Sequence, residues 1–159
     1  MTRAITAELK EQFHRQWGSL RDSVNAIPDA EWKAGEIVPL VPARLLHHIL
    51  GGTEVYARST SYEDYVAHRR FGADWQKAPE EELPDRPTAL RCIDELEKSV
   101  DQWLDALGDA GLLETDEGFP WTGTRKLGRA VYLLRHTQNH IGDMNAELRR
   151  RGVPRGAWR

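Results

Sequence analysis

The sequence predicts an all-α protein, an antiparallel four-helix bundle with a long crossover between its second and third helices. Four segments repeat apolar residues at the 3.6-residue period, and no stretch sustains strand-like alternation. Four amphipathic helices in a chain of 159 residues bury their stripes best against one another. A chain of this length suits one domain, 1–159, with a single core.

The first segment covers about 3–26, with Ile5, Leu9, Phe13, Trp17, Leu20 and Val24 on one stripe. It stops near Ile27-Pro28, because the residue before a proline is pushed out of the helical region. The second covers about 42–59 and opens at Pro42, a favoured first-turn residue. Its stripe is Val41, Leu45, Ile49, Gly52 and Tyr56. The third runs from Pro87 or Thr88 to Leu107, with Leu90, Ile93, Leu96, Val100 and Leu104 inside and Gly108 as its stop. The fourth runs from about Thr124 to Arg151 and ends at Gly152, with Pro154 just beyond. Leu127, Val131, Leu134, Ile141 and Leu148 form its predicted stripe, with Leu133 and Met144 at one margin. The connections at about 60–86 and 109–123 are long and hold Tyr62, Tyr65, His68, Phe71, Trp75, Phe119 and Trp121. Long ordered loops often carry function.

Six Trp, four Tyr and three Phe supply core bulk, while a net charge of −3 calls for neither nucleic acid nor an anionic membrane as partner. Cys92 is the only cysteine, which excludes an intramolecular disulfide and a cysteine-rich metal site. No run approaches the roughly 18 apolar residues of a membrane span. Charged residues follow Met1 too closely for a signal peptide, so a cytoplasmic location is the expectation.

The chemistry rests on histidines. His136 and His140 are four apart and share a helix face, a spacing that lets two imidazoles converge on one ion. At roughly 100° per residue the pair falls on the flank of the apolar stripe, beside Leu133 and Met144. A ligand held between helices belongs on such a flank, turned inward yet reachable by solvent. In the second helix His48 lies beside the stripe on the flank shared with Val55, whereas His47 points largely away from it. His48 is therefore the expected third ligand and His47 the fallback. Three imidazoles suit zinc, nickel, iron or copper. They leave a coordination position for water or substrate, the pattern of catalytic sites. Glu54, Asp143 and Glu147 are acidic candidates for supporting the ligands or moving protons, though each also reads as a solvated helix-face carboxylate.

The segment Leu134-Arg135-His136-Thr137-Gln138-Asn139-His140-Ile141-Gly142-Asp143-Met144, running into Leu148-Arg149-Arg150-Arg151-Gly152, resembles the closing motif of DinB-like proteins. That motif has a His, three residues, a second His, a small residue two further on, then a basic helix end and glycine. Leu45-Leu46-His47-His48-Ile49-Leu50 resembles the family's second-helix signature, apolar residues, His, then an apolar residue, which matches His48. The resemblance spans nearly the whole chain in its order of elements. It implies a four-helix bundle with a three-histidine site for one divalent metal, often in a homodimer. It also implies a small-molecule thiol and an electrophile as substrates. Members of known activity include bacillithiol- or mycothiol-dependent S-transferases and mycothiol-dependent maleylpyruvate isomerases.

The leading expectation is thus a metal-dependent thiol S-transferase. The alternatives are a non-catalytic metal-binding or stress-response module, and a metal-dependent hydrolase using Glu54 or Glu147. His14 reads as a surface or interface residue, His68 as a surface residue with lining of the pocket mouth as its alternative, and Cys92 as a packed or half-buried thiol. The basic tail, Arg149, Arg150, Arg151, Arg155 and Arg159, reads as charge that complements a helix C-terminus.

Overall fold

The computed structural model describes residues 4–58, 61–70 and 74–156. Arg3 at the expected helix start, Phe71 of the crossover and Arg159 of the tail lie outside the described residues. Helix α1, Ala4–Ala26, buries Leu9, Phe13, Trp17, Leu20 and Val24. Its first amides would lack intrahelical acceptors. Asp109 supplies one, accepting from Ile5 N at 3.2 Å, Thr6 N at 2.9 Å and Thr6 Oγ1 at 2.7 Å. After Pro28 comes the single turn α2, Asp29–Trp32. Trp32 is buried, and its indole N–H donates to Pro84 O at 2.8 Å.

Helix α3, Pro42–Tyr56, begins on its proline as predicted and ends at Tyr56 rather than near 59. The crossover that follows holds helix α4, Tyr62–His68, whose N-cap Ser61 accepts from Asp64 N. Helix α5, Arg86–Leu112, starts slightly earlier than expected, because Asp85 caps it by accepting from Thr88 N at 2.7 Å. Gly108 (φ 58°, ψ −179°) breaks the helical dihedrals where the stop was predicted, and the chain resumes helix to Leu112. The segment before the last helix carries a lone bridge between Thr115 and Arg125 and a 3-10 turn at Pro120–Thr122. Helix α6, Lys126–Arg150, ends before Gly152 at φ 68°, a left-handed conformation that favours glycine.

The described residues form no strand beyond that isolated bridge, so the fold is all-helical. α1 packs on α5 and α6, and α3 packs on the same two helices. One core joins them, with Phe13 and Trp17 of α1, Leu46 and Ile49 of α3, Ile93 and Leu104 of α5, and Leu133 and Met144 of α6 all fully buried. Truncating an aromatic such as Trp17 there would cost about 3–5 kcal/mol.

Two surface readings are corrected. Val131, placed mid-stripe by the sequence, is 45% exposed, whereas Leu133 and Met144 are fully buried. α6 packs on α3 as well as α1, so its buried arc turns toward the flank that carries His136 and His140. His47, expected to point away from the core, is buried. The crossover covers that side of α3: Arg44 Nη1 donates to Trp75 O at 2.7 Å and to Ala78 O at 2.9 Å, and Ala78 and Leu83 enter the core.

Candidate metal centre

His48 reaches the site from α3, and His136 and His140 from successive turns of α6. One ligand atom from each of the three lies within 4.8 Å of the others. Ring centroids are 4.9 Å apart for His48 and His136, and 4.7 Å for each pair that includes His140. The rings are inclined to one another by 68°, 76° and 80°, with one nitrogen of each near a nitrogen of the other two. His48 Nε2 and His136 Nε2 are 3.1 Å apart. Two nitrogens at zinc distance in a tetrahedral site would be separated by about 3.3 Å, so this spacing suits a shared ion.

The surroundings select which nitrogens are offered. His140 Nδ1 lies 3.0 Å from Asp143 Oδ2, and a proton shared there leaves Nε2 as the ligand atom. His136 Nδ1 is buried without a hydrogen-bond partner among the described residues. That ring is therefore placed by packing and by what its Nε2 meets. Gly52 makes the packing possible: a Cβ there would sit 3.0 Å from His136 Cε1. His48 stacks on Trp75 at a centroid separation of 4.4 Å and an interplanar angle of 24°. Tyr56 and Tyr132 flank His136 at 6.2 and 6.0 Å. Burial first, then the neighbouring imidazoles His136 and His140, pushes His48 down to about 3. Burial, then His140, pushes His136 down to about 4. Both rings are neutral at pH 7, and metal ligation needs that form.

Of the three acidic candidates, only Asp143 touches a ligand. Glu54 pairs with Arg70, which also holds Glu95. Glu147 is buried in a pair with Arg150 (2.8 Å) and a second with Arg151 (3.6 Å). Neither lines the chamber beside the histidines. His14 meets Asp101 at 3.0 Å on the surface, and His68 meets Asp64 on α4 at 3.2 Å. Cys92 is buried, as the packed-thiol reading expected, with Arg70 Nη1 at 3.8 Å.

The histidines border a chamber of about 820 Å³, walled by aromatics that include Tyr56, Tyr65, Trp75, Phe119 and Tyr132. The crossover and the loop after α5 bring Tyr65, Trp75 and Phe119 to it, as their length suggested. Arg58, Arg69 and Tyr132 also line it, and sequence reading did not single them out. A signal existed for Tyr132, four residues before His136 and so on the same helix face. A second was the pair Gly51-Gly52 inside a helix, where each glycine costs about 1 kcal/mol relative to Ala and so implies close packing. No protein-family model matches the chain, and no curated protein matches it.

Proposed function

We propose that this chain is a DinB-like four-helix-bundle metalloprotein that transfers a small thiol to an electrophilic substrate. The observation that carries the reading is the three-histidine cluster opening onto an aromatic chamber. The mutual packing of α1, α3, α5 and α6 supports the bundle, and the order of the histidine helices supports the family.

His48, His136 and His140 would hold one divalent ion, with zinc, nickel and iron all compatible with three imidazoles. When bound, such an ion supplies Lewis acidity, which favours the thiolate form of a coordinated thiol near neutral pH. Asp143 fixes the tautomer and orientation of His140. Trp75 holds the His48 ring by stacking and screens it from water. The chamber walls position the electrophile. The thiol proton would pass to solvent water, and the sulfur would form a C–S bond to the electrophilic carbon as the carbon's bond to a halide or epoxide oxygen breaks. That group would keep the bonding electron pair, the opened epoxide oxygen taking a proton from water.

The carboxylate placements favour this reading over the other two. Asp143 is engaged with His140, and Glu147 with arginines, which supports an open coordination position rather than a closed structural site. Glu54 is tied to Arg70, which disfavours it as the base of a hydrolase.

Protein purified without a histidine tag should contain close to one divalent metal per chain by elemental analysis. The metal-loaded protein, given low-molecular-weight thiols with epoxide, halide or maleylpyruvate-type substrates, should turn over. Full metal loading without turnover for any thiol would return the non-catalytic module as the better reading.

A further inference from the structure

The chamber beside the histidines carries a charge pattern that the metal reading does not use. Among the described residues its lining includes Arg58 and Arg69 and no aspartate or glutamate. The acids around it are held elsewhere: Glu54 by Arg70, Asp116 by Arg129 at 3.1 Å, and Asp143 by His140. Glu63, which interacts electrostatically with Arg58, is fully exposed and is not part of the lining. A cavity with low-dielectric walls and one sign of charge focuses its field on an entering ligand.

Arg58 is also pre-positioned. Its guanidinium carbon lies 5.4 Å from the ring centroid of Tyr62, 5.9 Å from that of Tyr65 and 4.9 Å from that of Phe119. Its Nη1 donates to Val55 O at 3.1 Å. Three aromatic faces and a carbonyl hold this long side chain, so less rotamer freedom is lost when it engages a ligand. Those rings, with Trp121 at 59% exposure, present apolar surface at the same mouth.

We propose that the chamber binds a small organic anion, a carboxylate or phosphate on an aromatic or apolar body, with Arg58 and Arg69 on the anionic group and the aromatic walls on the body. The proposal rests on reading this chamber as the substrate site. A guanidinium fork suits both anions bidentately, which is why the two are grouped.

Isothermal titration of the full chain as purified, with phenylacetate, phenyl phosphate and the neutral phenylacetamide, tests it. The anions should bind at least about 10-fold tighter than the amide, as hydrogen bonds to charged groups imply. That preference should collapse in Arg58→Gln and in Arg69→Gln, return in part in Arg58→Lys, and persist in Arg15→Gln on α1. Arg69 lies outside the aromatic cage, so its variant decides the matter even if Arg58→Gln misfolds. The preference should also persist with chelator. Its disappearance there would assign the anion to the metal and overturn the proposal. Equal binding of the amide, a preference that survives both Gln variants, or no binding of any probe at millimolar concentration would overturn it too. Protein that takes up no zinc, nickel or iron and still prefers the anions would sink the metal reading alone.

Discussion

Two neutral imidazole nitrogens 3.1 Å apart can share one proton, or both can point lone pairs at a cation. The third ring, His140, supports the cation reading, because Asp143 engages its Nδ1 and leaves Nε2 for a shared ion. Removing one ring of three leaves two neutral ligands. Losing even a residue that only orients a ligand costs about 10- to 100-fold in metal affinity, so His48→Ala, His136→Ala and His140→Ala should each exceed that loss. His47→Ala separates placement from ligation: it should keep metal content near wild type and lower stability by about 1–3 kcal/mol, as buried truncations do. Elemental analysis beside thermal melts reads both quantities, and metal loss in His47→Ala with retention in His48→Ala would reverse the assignment. Gly52 gives a sharper test, since it touches no ion. Its added methyl would sit 3.0 Å from His136 Cε1 and push the ring away from His48. Gly52→Ala should keep its helix, where Ala is the better residue, and lose metal affinity by about 10-fold or more. Unchanged affinity would show that the ring shifts without cost.

At the scale of elements, what the sequence made legible follows from which signals are periodic. The four long helices were readable because Phe13, Trp17, Leu20 and their counterparts recur at the helical period, and because Pro28, Gly108 and Gly152 mark where the helices stop or, at Gly108, break. His48, His136 and His140 were readable because the same wheel that places a stripe also places its flank. α4 was not, because its seven residues bury none and so leave no stripe to detect. The burial of His47 was hidden for a related reason: it is caused by the crossover, whose path over α3 has no local sequence signature. Arg44 is the clasp of that crossover, donating to the carbonyls of Trp75 and Ala78. Arg44→Ala should free the segment around 74–78, unseat Trp75 from His48, and weaken metal binding less than loss of a ligand does. Limited proteolysis should then cut within the crossover sooner than in wild type, and an unaltered cleavage rate would show that Ala78 and Leu83 anchor it unaided.

At the scale of the whole molecule, the site couples stability to pH and, on the proposed reading, to metal. In the folded metal-free chain His48 titrates at about 3 and His136 at about 4, against about 6.5 when unfolded. The folded state therefore binds fewer protons than the unfolded state between those values. Stability contributed by these rings is fully present above pH 6.5 and is lost progressively as pH falls toward 4 and then 3. Glu54 opposes this, since burial raises its carboxyl and the folded state holds that proton more readily. A His48→Ala comparison isolates the imidazole contribution, and its metal-free melting temperature should fall less between pH 7 and pH 5 than wild type's. A metal held by these histidines would add to the same balance, because it would bind the folded cluster and compete with protons for the same nitrogens. Zinc at about 100 times its dissociation constant should stabilise the fold by about 2.7 kcal/mol, or roughly 5–10 °C for a chain of this size. That increment should be largest near neutral pH, shrink as the medium is acidified, and be absent from His48→Ala at every pH. A zinc-induced rise of equal size in the variant would place the ion somewhere other than these three histidines.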